Sequence, residues 1–296
     1  TRKNSRWTIL VSIWDSLYFR FALTAVIILK YELLVDSRPN EVVIALLKDK
    51  KLIELHKEPI GTKFSVGDIF LAKVKKIITG LNATFVDVGY ERDGFLHYLD
   101  LGVKFKTFQK FTQRNLGGKL NTASLKNFKL EEEIDKSGSI TDVLQSGNQI
   151  LVQVAKEPIS TKGPRLTTEI TIAGRYMVLV PFSNKVSVSQ KIESNEEKKR
   201  LKKLVQSIKP PGFGVIIRTV AEGKKVADLD ADIKYLYKKW QTLFKQTKKG
   251  NPPFKVLGEL GRTASLLRDI LNDDFVSILV NDEKLHDEIK DYKAVK

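Results

Sequence analysis

Two phenylalanines ten residues apart, Phe85 and Phe95, carry the first chemistry this sequence offers. They lie in Asn82-Ala83-Thr84-Phe85-Val86-Asp87-Val88-Gly89-Tyr90-Glu91-Arg92-Asp93-Gly94-Phe95-Leu96-His97, which reads as two short strands joined by a polar turn. Alternation places Phe85, Asp87 and Gly89 on one face and Val86 and Val88 on the other. The Asp93-Gly94 pair supplies backbone for a turn before the second strand. On one face of a small barrel the two rings form a platform for unpaired bases, each stacked base contributing about 1–3 kcal/mol. The same two rings also suit a buried core, and these residues alone leave both readings open.

Two further clusters suit phosphate. Lys156 and the loop Ser160-Thr161-Lys162-Gly163-Pro164-Arg165 put positive charge directly after the last strand of that region. A solvated turn is the plain alternative. Arg218-Thr219, followed by Ala221-Glu222-Gly223-Lys224-Lys225, ends the apolar run Gly214-Val215-Ile216-Ile217. A guanidinium, a hydroxyl and backbone N–H groups together suit a terminal phosphate, although arginine at a strand end more often forms a surface ion pair. No catalytic carboxylate pair stands out. Asp228, Asp230 and Asp232 are spaced two apart on a helical stretch, where they point in different directions and make a poor metal site. No Ser/His/Asp order, phosphate-binding Walker loop or metalloprotease helix is present. The expectation is binding chemistry, with no catalytic residue and no metal ligand in this chain.

The elements that position these residues are mostly short strands. Residues 31–35, 41–47 and 51–56 read as strands, with a tight turn at Lys48-Asp49-Lys50. Residues 67–78 open a second strand-rich block, and 149–154 close it. Residues 101–148 between them read as a long polar insertion rich in lysine, of the kind that is usually functional or disordered. Five short strands around such an insertion fit a Greek-key OB barrel. Residues 166–172 and 176–180 read as a strand pair. Ser194-Asn195-Glu196-Glu197 reads as a capping box opening a helix that Pro210-Pro211-Gly212 stops. Residues 226–249 read as a long amphipathic helix with Leu229, Ile233, Leu236, Tyr237, Trp240, Leu243 and Phe244 inward. Residues 263–271 and 283–292 read as helices around a strand at 276–280.

The 296 residues carry 51 Lys plus Arg against 35 Asp plus Glu, a net charge of +16, which favours a polyanionic partner. Zero cysteines exclude disulfides, thiolate zinc sites and cysteine nucleophiles within the chain. Residues 7–29 are apolar enough to suggest a membrane span, but Asp15 and Arg20 lie inside, each costing about 2.5–3.5 kcal/mol at a helix centre. Residues 1–30 are therefore expected to be extraneous or disordered, with a surface helix or an anchor as alternatives and membrane association not expected. The chain begins at Thr1, has its only methionine at Met177, and stops after a helical pattern; it is expected to be a fragment.

Several of these segments, in order, resemble the bacterial ribonuclease E and ribonuclease G family, most closely its ribonuclease G side. They are Phe85-Val86-Asp87-Val88-Gly89 through Gly94-Phe95-Leu96, Thr161-Lys162-Gly163, Ala173-Gly174-Arg175-Tyr176-Met177-Val178-Leu179 and Gly214-Val215-Ile216-Ile217-Arg218-Thr219. The resemblance implies an α+β multidomain fold, with an S1-type OB β-barrel and a 5′-sensor region inserted in a split RNase H-like domain. It divides the chain into 31–60 (first RNase H-like piece), 61–165 (barrel, with insertion 101–148), 166–262 (sensor region) and 263–296 (second RNase H-like piece, truncated). It implies that Phe85, Phe95 and Lys162 hold single-stranded RNA, and that Gly174, Val178, Arg218 and Thr219 hold a 5′-monophosphate. It further implies a magnesium-dependent endoribonuclease acting in rRNA maturation and mRNA decay, cytoplasmic and homodimeric when full length. The magnesium ligands and a zinc-binding cysteine pair would lie beyond residue 296, so that this chain alone binds no cofactor and is inactive. The rival reading is a stand-alone single-stranded RNA-binding module.

Overall fold

A computed structural model describes residues 31–59, 64–258, 275–283 and 286. Residues 1–30 and the helices expected at 263–271 and 283–292 fall wholly or mostly outside these. The chain divides into two units, one formed by residues 1–62 with 262–296 and the other by residues 63–261.

The first unit is a meander of β1 (Tyr31–Ser37), β2 (Glu41–Lys48) and β3 (Lys51–Pro59), with Phe275–Val280 added parallel to β1. Asp49 and Lys50 both have positive φ, the backbone of a two-residue hairpin turn. Leu33, Val35, Ile44 and Leu46 are buried, with Ile278 and Val280 packed against them.

The second unit contains a closed five-stranded barrel of β4 (Ile69–Ile78), β5 (Ala83–Asp87), β6 (Gly94–His97), β7 (Gln149–Lys156) and β8 (Arg165–Thr167). Neighbours run β4-β5-β6-β8-β7, and the β4–β7 pairing closes the ring. Alternating residues fill it: Val74, Val86, Val88, Leu96, Ile150, Val152, Val154 and Leu166 are all buried. An α+β chain with an OB-like barrel is therefore present.

Residues 101–148 are not the polar loop expected. They contain α1 (Phe105–Leu116), which buries Phe105 in the barrel core and Phe108 and Phe111 in a second core. The helical spacing of those phenylalanines is present in the sequence, but the interleaved lysines conceal it. The rest of the segment is tied to the barrel. Tyr98 Oη donates to Asp135 O, and Asn82 donates to Gly138 O while accepting from Ile140 N.

The strand expected at 166–172 is also broken. Thr168 is buried, donates its N–H to Asp100 O and accepts from Gly102 N through its hydroxyl. The chain therefore leaves the barrel after Thr167 and joins a second sheet as β9 (Ile172–Ala173). That sheet continues with β10 (Met177–Pro181), β11 (Val186–Val188) and, after α2 (Asn195–Ile208), β12 (Phe213–Ile217), in the order β11-β12-β10-β9. Helix α3 (Val226–Lys248) buries Leu229, Ile233, Leu236, Trp240, Leu243 and Phe244, as its periodicity predicts. Trp240 fills the centre of the core, and its Nε1–H donates to Ala123 O at 2.8 Å. Strand β13 (Phe254–Leu257) then pairs with β4.

Candidate nucleic-acid interface

On the barrel, strand alternation decides which side chains meet solvent. Val86 and Leu96 are fully buried, so Phe85 and Phe95 face outward and are half-exposed. They are direct cross-strand partners. Their ring centroids are 5.9 Å apart and their planes are inclined by 66°. His97, two residues along β6, brings a third ring 6.5 Å from Phe95. The sequence reading left His97 out, although the same period of two would have found it. Lys76 on β4 is exposed and opposite Phe85.

The loop carrying Lys162 is fastened beside these rings. Phe95 N donates to Pro164 O at 2.8 Å, and Lys162 N closes a turn onto Ile159 O. Gly163 is required there, because a Cβ would stand 2.1 Å from Asp93 O. Lys162 is exposed and has no ion-pair partner among the described residues. Arg165, by contrast, is committed to Asp100 through two hydrogen bonds of 2.9 and 3.0 Å. The loop thus offers one uncompensated cation to an anion lying across the rings.

The second sheet assembles the other four residues. Antiparallel pairing of β10 with β12 sets Val178 opposite Ile216, both on the outward face, and Ile216 is 44% exposed. Arg218 N continues the ladder to Tyr176 O, and Arg218 Nη1 donates to Gly174 O at 2.9 Å. Parallel pairing of β11 with β12 brings Ser189 beside Thr219, their hydroxyl oxygens 3.0 Å apart. Gly174, Val178, Arg218 and Thr219 therefore share one end of this sheet, and Ser189 joins them. A guanidinium, two hydroxyls and an apolar flank fit a terminal phosphate and the nucleotide behind it.

Beneath the Gly174 turn lies Asp232, which its spacing in the sequence marked only as a poor metal ligand. Its side chain is buried and accepts from Arg175 N, Tyr176 N and Met177 N at 2.9–3.1 Å. A Cβ at Gly174 would lie 2.7 and 2.8 Å from its two carboxylate oxygens. The carboxylate thus shapes the turn whose carbonyl orients Arg218.

The far end of the Arg218–Lys224 loop is held by α2. Ser194 caps that helix by accepting from Glu197 N, but Glu197 does not reach back to complete the expected box. Its carboxylate instead takes Arg200 through bonds of 2.6 and 2.7 Å and Gly223 N at 2.9 Å, while Arg200 Nη2 donates to Lys224 O. Arg200 foremost, then the Gly223 N–H, hold the Glu197 carboxyl down at about 2 from an ordinary 4.5. A depressed folded pKa stabilises above the unfolded value and is lost as pH falls through the folded one. Glu197→Gln should therefore cost on the order of 1–3 kcal/mol near neutral pH, with the gap closing as pH drops from 4.5 toward 2. Acid titration of unfolding free energies checks this, and a gap independent of pH refutes the carboxylate as its source.

Comparison with known proteins bears on the whole arrangement. A sequence profile of the ribonuclease E/G family matches residues 171–295. Ribonuclease G of Haemophilus influenzae is 34% identical over 261 residues, covering 88% of this chain and 49% of that protein. Ribonuclease G of Escherichia coli strain K12 is 33% identical over 263 residues, covering 89% of this chain and 50% of that protein. The chain belongs to the ribonuclease E/G family. Ribonuclease E of Nostoc sp. is also similar, 34% identical over 229 residues that make up 77% of this chain and 29% of that protein. The chain spans about half the length of the ribonuclease G relatives it matches. The outward aromatic pair, the Lys162 turn and the Arg218–Thr219 cluster all lie on one unit, residues 63–261. Among the described residues no group of three or more His, Cys, Asp or Glu is arranged to hold a metal ion, and no helix is long and apolar enough to cross a membrane.

Proposed function

We propose that this chain is the RNA-recognition part of a ribonuclease-G-type endoribonuclease that cuts single-stranded RNA in rRNA maturation and mRNA decay. The observation that carries this reading is the outward placement of Phe85 and Phe95 as cross-strand neighbours, with Lys162 in the turn bound to the same strand. Bases stack on such rings without regard to sequence, and a nearby cation takes the backbone. The cluster of Gly174, Val178, Arg218 and Thr219 is assigned to a 5′-monophosphate. The parallel pairing of Phe275–Val280 with β1 supports the reading of residues 31–60 and 263–296 as two pieces of one RNase H-like domain interrupted by 61–165 and 166–262. Hydrolysis, and the magnesium and zinc that accompany it in the resemblance, are assigned to sequence beyond residue 296. A cytoplasmic homodimer is the proposed state of the whole protein.

Arg218→Ala tests the sensor assignment. The variant should bind 5′-phosphorylated and 5′-hydroxyl single-stranded RNA equally, whereas the parent should prefer the phosphate by roughly tenfold or more, the worth of one or two charge-assisted hydrogen bonds at about 1.5–3 kcal/mol. Competition binding with the two RNAs reads the ratio directly. A preference that survives the change removes the assignment.

A further inference from the structure

Helix α2 carries a set of charges that its own fold leaves unanswered. Lys199, Lys202 and Lys203 are exposed and Lys198 is half-exposed, while Leu201 and Val205 face the core. Lys198 with Lys202, and Lys199 with Lys203, stand four residues apart, the spacing at which helical neighbours of like charge repel. Lys198 and Lys199 also follow closely on the first turn, where the helix dipole disfavours cations. The two glutamates of the helix do not relieve this. Glu197 is engaged by Arg200 and Gly223 N, and Glu196 is an exposed first-turn residue. None of the four lysines has an ion-pair partner among the described residues.

The position of the helix gives this patch a meaning. The Glu197–Arg200 pair bonds the first turns of α2 to Gly223 and Lys224, in the loop that begins with Arg218 and Thr219. The lysines flank Arg200 on both sides along the same helix, two before it and two after it. We propose that this face is a second phosphate-binding surface, along which the backbone of a single-stranded RNA continues after its 5′ end has met the Arg218–Thr219 cluster. The inference rests on the RNA reading given above and adds to it a path for the strand. A polyanion is the partner that converts mutual repulsion among four lysines into attraction, because each neutralised phosphate also releases counterions.

The test is a variant of the whole chain with Lys198→Gln, Lys199→Gln, Lys202→Gln and Lys203→Gln together; glutamine keeps helix propensity. Binding of a long 5′-phosphorylated single-stranded RNA is measured across a range of salt. The slope of log affinity against log salt should become shallower by about 0.7 for each phosphate that α2 no longer neutralises, roughly 1.5–3 in all. A 5′-phosphorylated dinucleotide, too short to reach beyond the Arg218–Thr219 cluster, should bind as before. An unchanged slope for the long RNA overturns the proposal and leaves α2 a solvated helix. Loss of binding to vesicles containing anionic lipid, with the RNA slope intact, overturns it in favour of a membrane-facing surface. A shallower slope in the lysine variant, together with failure of the Arg218→Ala test, removes the sensor assignment and leaves the α2 surface standing.

Discussion

Phe85→Ala combined with Phe95→Ala should weaken binding of single-stranded RNA by about 2–6 kcal/mol, the sum of two stacked bases. The fold should barely notice. Both rings lie outside the barrel, which Val86, Leu96 and the other buried apolar residues hold from within. The protein itself gives up only the packing of the two rings at 5.9 Å, about 0.5–1.5 kcal/mol by the usual worth of an aromatic pair. Separating the two effects is therefore possible in one experiment: thermal unfolding of the variant shifts by a few degrees while RNA affinity falls by orders of magnitude. The single variants should not add, because each ring is a neighbour of the other. His97, tilted 38° against Phe95, should retain part of the affinity in either single variant and little in the double. Equal RNA affinity for the parent and the double variant, measured by fluorescence anisotropy at fixed salt, refutes the platform.

What could be read from the sequence, and what could not, follows from how each feature is encoded. The outward direction of Phe85 is local: it needs only a period of two between Ala83 and Asp87. The long amphipathic stripe of α3 is local in the same way. Helix α1 has the same kind of code in Phe105, Phe108 and Phe111, but Lys104, Lys106 and Lys110 between them give the segment a polar average. The break at Thr168 is not local, since its cause is a backbone carbonyl at Asp100 and an amide at Gly102, which follow the neighbouring strand β6 and lie 66 or more residues earlier in the chain. Glu197 has the spacing of a capping box without its bonding. Its side chain goes instead to a guanidinium one turn on and to Gly223 N, twenty-six residues away. Ser189 and Thr219 meet only because β11 and β12 pair in parallel. Pairing between strands that are distant in sequence leaves no periodic trace in either one.

Asp232 is the extreme case, and removing it should do the most damage for a residue that makes no contact with RNA in the proposed path. Its neighbours Asp228 and Asp230 are only half-buried, and nothing in the spacing marks the third aspartate as different. The groups through which it holds the turn are main-chain N–H groups 55–57 residues upstream, which every residue but proline possesses. Asp232→Ala leaves those donors unpaired in a buried place, where each costs about 1–3 kcal/mol; a net loss of about 3–5 kcal/mol in stability is expected. Asp232→Asn keeps one accepting oxygen and should lose less. Because Arg218 Nη1 is bound to Gly174 O, the turn's release should also erase the preference for 5′-phosphate, even in the milder variant. Gly174→Ala provides the control for mechanism. Alone it forces a Cβ to within 2.8 Å of the carboxylate and should be strongly destabilising. In an Asp232→Ala background the obstructing oxygens are gone, so the second substitution should add little. A coupling energy of about 1–3 kcal/mol between the two positions, from chemical denaturation of the four proteins, is the expected outcome. Additive losses would mean that the carboxylate and the glycine turn do not act on each other, and that Asp232 does not set the position of Arg218.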